Sequence, residues 1–168
     1  MPGLTPTPAE LEVAEILDNI RRVFQVVNEQ SKKVEKETGL TGPQAWAIMT
    51  IARLGPLSLT SLARRMYLHP ATVGGILDRL EKRGLVARTR SEEDRRVVEI
   101  TLTEEGMALV EHSPEVATST IARGLETLPQ QERAEIMHGL EKLVTILGAQ
   151  GVPPRLIGAE ELNVSKED

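Results

Sequence analysis

Apolar positions recur along this chain at two periods, and the switch between them predicts its layout. From about Ala9 to Lys36, Val13, Leu17, Ile20, Phe24, Val27 and Val34 step by threes, fours and one seven, which predicts a long helix closed by Gly39. Thr41-Gly42-Pro43-Gln44 reads as a capping box that opens a second helix through Trp46, Ile48 and Ile51, and Gly55-Pro56 ends it. Leu57-Ser58-Leu59 is a stub of strand, and Thr60 is the expected N-cap of a short third helix, Ser61 to Met66. Pro70 marks the start of a fourth, running to about Arg83 with Val73, Ile76, Leu77 and Leu80 inward and Gly84 as its stop.

The period then changes from helical to alternating. Leu85 to Arg90, and Val98, Ile100 and Leu102 alternating with polar neighbours, predict two strands joined by a polar turn at Ser91 to Asp94. Thr103 caps a fifth helix, in which Pro114 should introduce a kink, and a sixth runs from Pro129 to about Leu147. The predicted class is mainly α with a small β-hairpin wing. Four stretches follow: N-terminal helices over 1–56, a winged helix-turn-helix module over 57–102, C-terminal helices over 103–147, and a flexible or loosely docked tail over 148–168.

Composition narrows the function. The 168 residues are 40% hydrophobic and 27% charged, enough for one domain with a real core, and the absence of cysteine removes disulfides and thiolate chemistry. Neither a run of about 18 uncharged apolar residues nor a basic-then-apolar start occurs, so no membrane association is expected and the location expected is cytoplasmic. A net charge of −5 argues against nucleic acid until its distribution is read. Ten basic and five acidic residues between Arg53 and Arg96 give that segment +5 and leave −10 elsewhere, the pattern of a DNA-contacting module between acidic flanks.

The residues at the joints carry a family resemblance. Leu62-Ala63-Arg64-Arg65-Met66, Ala71-Thr72-Val73 and Ile76 to Val86, followed by Asp94-Arg95-Arg96 and Ile100 to Gly106, resemble the winged helix-turn-helix of the multiple-antibiotic-resistance regulator (MarR) family. What the resemblance implies is a transcriptional regulator, most often a repressor, that binds double-stranded DNA as a homodimer through its first, fifth and sixth helices. It also implies release from DNA by a small aromatic effector entering the cleft between dimer helices and winged module, although no residue identifies a ligand. The apolar stripes of the flanking helices agree, because a module of this size cannot cover them; packing of the three helices on one another is the alternative.

On this reading the fourth helix enters a major groove and presents Ala71, Thr72, Gly74, Gly75 and Asp78 or Arg79. Gly74-Gly75 depart from the family's usual polar or basic residues; they imply close backbone approach to DNA, thin base readout with reliance on shape, or tight packing on a neighbouring helix. Arg96 is the candidate for minor-groove insertion, braced by Asp94, while Arg88, Arg90 and Arg95 are candidates for phosphates. Ser58, Thr60, Ser61 and His69 are candidates to donate to phosphate from helix starts, and capping explains their types equally well. His69, His112 and His138 lack metal-ligand spacing, and no nucleophile motif or phosphate-cradling loop occurs, so neither cofactor nor catalysis is expected. Trp46 and Phe24 are expected in the core. The competing function is a helical dimeric protein-interaction module without DNA binding.

Overall fold

The computed structural model describes residues 6–92 and 94–156. Helix α1 (Pro8–Thr38) opens on a capping box, in which Thr7 Oγ1 accepts from the Glu10 N–H and the Glu10 carboxylate accepts from the Thr7 N–H. Gly39, at φ 64°, closes it. Only the last third of α1 reaches the core, through Val27, Val34 and Thr38.

Helix α2 (Gly42–Leu54) is the central rod, buried from Gly42 to Ile51. The Gln44 half of its expected capping box forms, with Gln44 Oε1 accepting from the Thr41 N–H at 3.0 Å. Strand β1 (Leu57–Ser58) leads directly into α3 (Leu59–Arg65), and here the structure corrects the expected cap. Ser58, not Thr60, is the N-cap, its hydroxyl accepting from the Ser61 N–H at 3.2 Å. Starting the helix two residues earlier puts Leu59 in the first turn, against the core, and leaves Thr60 exposed.

Helix α4 (Pro70–Lys82) buries Val73, Ile76, Leu77 and Leu80 completely. It ends in a Schellman motif: Gly84 takes φ 70°, its N–H donates to the Glu81 carbonyl, and the Leu85 N–H reaches the Leu80 carbonyl. Leu85 therefore belongs to the turn, and β2 (Val86–Arg90) begins one residue later than its alternation suggests. Strand β3 (Val98–Leu102) pairs antiparallel with β2 from Val86↔Leu102 to Arg90↔Val98 and on its other edge with β1, giving the order β1-β3-β2.

Thr103 caps α5 (Glu104–Glu111), accepting from the Gly106 N–H at 3.1 Å. Pro114 does not kink this helix; it separates α5 from α6 (Ala117–Thr127). A proline has no N–H to return to the preceding turn, and the break drops Val116 into the core while turning Glu115 outward. The expected sixth helix is therefore the seventh, α7 (Gln130–Ile146). Of the expected loose tail, the described part runs to Leu156, which packs against the core, and 157–168 lie outside the described residues. Among the described residues no helix is long and apolar enough to cross a membrane.

Two arginine-based links fasten this frame, one to backbone carbonyls and one to a carboxylate. The Arg83 guanidinium, at the end of α4, donates to the carbonyls of Gly39 (2.6 Å) and Thr38 (3.3 Å), which cap the C-terminus of α1. Glu115 accepts both guanidinium nitrogens of Arg123 at 2.8 and 3.0 Å and one of Arg53 at 3.4 Å, joining the start of α6 to the end of α2. The Arg123 hydrogen bonds hold the Glu115 carboxyl down at about 2.

Two experiments check this frame. A Cβ on Gly106 would lie 2.0 Å from the Leu85 carbonyl oxygen, whereas Cβ atoms on Gly74 or Gly75 would meet nothing within 4 Å. Chemical denaturation should therefore show Gly106→Ala losing about 3 kcal/mol, and Gly74→Ala and Gly75→Ala each gaining about 1 kcal/mol from helix propensity. Because the folded Glu115 pKa is depressed, its contribution is present above the ordinary carboxylate value of 4.5 and is lost as pH falls toward about 2. The Tm gap between the wild type and Glu115→Gln should be constant above pH 5 and shrink below it, and a gap independent of pH would refute the pairing.

Candidate nucleic-acid interface

Helices α3 and α4 form a helix-turn-helix, and the full burial of one face of α4 decides what the other displays. Ala71, Gly75 and Asp78 are exposed along it and Thr72, Gly74 and Arg79 are half-buried. His69 is the N-cap, its Nδ1 accepting from the Ala71 N–H at 3.4 Å. The open space around Gly74 and Gly75 removes one of the three explanations for that pair, tight packing on a neighbouring helix of the same chain. What remains is a helix surface nearly bare of side chains, able to approach another molecule through its backbone.

The wing lies beside this helix because Arg88 fixes it there. From β2 its guanidinium reaches Asp78 at 2.6 Å and Glu81 at 2.5 Å, two carboxylates one turn apart on α4. The hydrogen bond with Asp78 raises the Arg88 pKa still further. Arg88, expected at a phosphate, is thus engaged by two carboxylates of its own chain and links wing to helix.

Arg90, at the end of β2, and Arg95 and Arg96, in the turn, are exposed. The bracing of Arg96 by Asp94 takes a different form from the one expected. Asp94 Oδ1 accepts from the Arg96 backbone N–H at 2.9 Å, so the aspartate shapes the turn rather than holding the guanidinium. The Val97 N–H donates to the Asp94 carbonyl and the Ser91 N–H to the Val97 carbonyl, completing a closed loop that carries both arginines. Ser58 is committed to capping and also donates to Ser61 Oγ at 3.0 Å, which leaves Thr60 and His69 as the exposed members of the four helix-start residues.

A second feature lies behind the helix-turn-helix. Tyr67, in the turn between α3 and α4, donates its hydroxyl to the Glu126 carboxylate on α6, and this bond raises the tyrosine pKa. The two side chains stand where three clefts meet. One, of about 630 Å³, is walled by Trp46, Met66, Leu68, Ile121 and Leu125; another is lined by Arg53, Arg65 and Arg123. Trp46 is buried at 8% exposure and also faces this space, while Phe24, expected in the core, stands 66% exposed on α1. Sequence reasoning missed Tyr67, Glu126 and the Arg83 cap, because their partners lie 44 or more residues away and no local pattern marks such pairs. Among the described residues no group of three His, Asp or Glu is placed to hold a metal ion.

Comparison with known proteins fits this arrangement. The MarR family model matches residues 40–98, from the start of α2 to the wing. The HTH-type transcriptional repressor MdtR of Bacillus subtilis is 29% identical over 135 residues, 80% of this chain and 87% of MdtR. SarZ of Staphylococcus aureus, an HTH-type transcriptional regulator, is 32% identical over 110 residues, 66% of this chain and 73% of SarZ. The structure of a MarR family protein from Bacillus stearothermophilus superposes with a TM-score of 0.52 at 29% identity, covering 83% of this chain and 97% of that one. With a helix-turn-helix, an adjoining hairpin wing and flanking helices in that order, the chain belongs to the MarR family of transcriptional regulators.

Proposed function

We propose that this regulator binds a pseudopalindromic operator in double-stranded DNA as a homodimer and represses transcription from it. The observation that carries the reading is the pairing of a bare, exposed α4 face with an arginine-tipped wing, locked together by Arg88. In this reading Thr72 and Ala71 meet base edges and thymine methyls, Gly74 and Gly75 let the backbone approach, and Arg79 lies at the edge of the contact. Arg96 enters the minor groove from the turn shaped by Asp94, and Arg90, Arg95, Thr60 and His69 face phosphates, with Ser58 and Ser61 holding the start of α3. The kinship with MdtR, a repressor, supports repression.

Dimerisation follows from an apolar surface that the protomer leaves uncovered. Helix α7 buries none of its 17 residues, and Ile136, Met137, Leu140 and Val144 line one side of it with Leu125 of α6. The first two-thirds of α1 expose Leu11, Val13, Ile16, Leu17, Val23 and Phe24 in the same way. An isologous partner buries both faces and sets two α4 helices about 34 Å apart, one turn of duplex. The cleft walled by Trp46, Met66 and Ile121 is the place for a small aromatic effector, which would act by favouring one spacing of those helices.

Binding to duplex DNA from the chain's own upstream region, measured across a salt series, tests the function. Affinity should fall steeply with salt, Arg96→Ala should cost about 1 to 3 kcal/mol, and Arg90→Ala or Arg95→Ala should each lower the salt slope by about one. Salt-independent binding would mean a protein-interaction module instead. Light scattering at micromolar concentration should give a dimer for the wild type and a monomer, with weakened DNA binding, for Ile136→Glu/Leu140→Glu. A monomeric wild type would overturn the assembly.

A further inference from the structure

Tyr67 occupies a position where glycine is the favoured residue. It is the residue after the C-cap of α3, at φ 52°, and the turn closes around it as a Schellman motif: the Tyr67 N–H donates to the Arg64 carbonyl and the Leu68 N–H to the Ala63 carbonyl. A bulky residue is disfavoured in this left-handed conformation. Burial does not compensate, since Tyr67 is 62% exposed. What the tyrosine adds over glycine is reach: its hydroxyl spans to Glu126, one residue before the end of α6.

The two ends of that bond belong to parts of the protein with different tasks. Tyr67 lies three residues before Pro70, where α4 begins, so displacing this turn displaces the DNA-facing helix. Glu126 lies just before the Leu128-Pro129 link into α7, the helix with the uncovered apolar face. Both residues also line the apolar cleft and the arginine-lined cleft on either side.

We propose that the Tyr67–Glu126 hydrogen bond is a latch that holds the winged module in its DNA-binding attitude against the dimer helices. The proposal rests on the reading of the chain as a DNA-binding dimer.

The test compares the wild type with Tyr67→Phe, Glu126→Ala and the double variant for affinity to the duplex the wild type binds, alongside Tm. Each single change should weaken DNA binding roughly 3- to 10-fold, the effect of one net hydrogen bond, and the double variant should be no weaker than the weaker single. Tyr67→Gly separates latch from scaffold: its Tm should exceed that of Tyr67→Phe, which lacks the same bond, because the left-handed position favours glycine, while DNA binding weakens as in Tyr67→Phe. Unchanged or tighter binding by the single variants, losses that multiply in the double, or a Tyr67→Gly that binds DNA like the wild type would each overturn the latch. Failure of the wild type to bind DNA at any salt removes the regulator reading and the latch with it; normal wild-type binding with indifferent variants removes the latch alone.

Discussion

What the helix-turn-helix presents outward depends on the burial of one stripe of α4. Val73, Ile76, Leu77 and Leu80 are wholly shielded by α2, α3 and the sheet, and four such side chains bury enough apolar surface to contribute several kcal/mol together. That burial fixes the roll of the helix about its own axis. With the roll fixed, Ala71, Gly75 and Asp78 face outward as a consequence of the core rather than of any polar contact. Two arginines then fix its attitude: Arg83 ties its C-terminal end to α1, and Arg88 ties its middle to the wing.

These two arginines change the meaning of the charge count. The segment from Arg53 to Arg96 carries an excess of +5, yet Arg83 and Arg88 are held by carbonyls or carboxylates of the same chain. The cations displayed together are Arg90, Arg95 and Arg96, at the far end of the hairpin. The hairpin end thus sets exposed arginines among the carboxylates of Glu92 and Asp94, beside a helix face with few side chains, a surface suited to reading groove shape more than to bidentate base recognition.

Much of this was legible in the sequence because the signals are local. Helical spacing placed α1, α2, α4 and the last helix within a few residues, and Gly39, Gly84 and Thr103 mark caps the structure contains. The misplacements also have local causes. Ser58 and Thr60 are equally good cap residues, and only the pairing of Leu57 with Ile100 ends the strand at Ser58 and settles which one caps. Pro114 could kink or break a helix, and the choice depended on whether Val116 had a core to enter. The link from Arg88 to α4 was not legible because nothing in a one-dimensional reading shows that Asp78 and Glu81 face the strand that carries it. Long-range polar pairs such as Tyr67–Glu126 leave no periodic trace, so sequence reasoning finds the frame of the site before the contacts that tune it.

Helix α6 is where those contacts converge. Glu115, just before its first residue, grips Arg53 of α2, and Glu126, near its last, receives Tyr67 of the helix-turn-helix. Its body packs on α1 and α2, while Leu125 opens onto the uncovered face of α7. A small movement of the C-terminal end of α6 therefore shifts both the turn before α4, through Tyr67, and the apolar α7 surface that Leu125 adjoins, while its N-terminal end stays tied to α2 through Glu115. A change at these side chains reaches both surfaces while leaving the core stripe of α4 undisturbed.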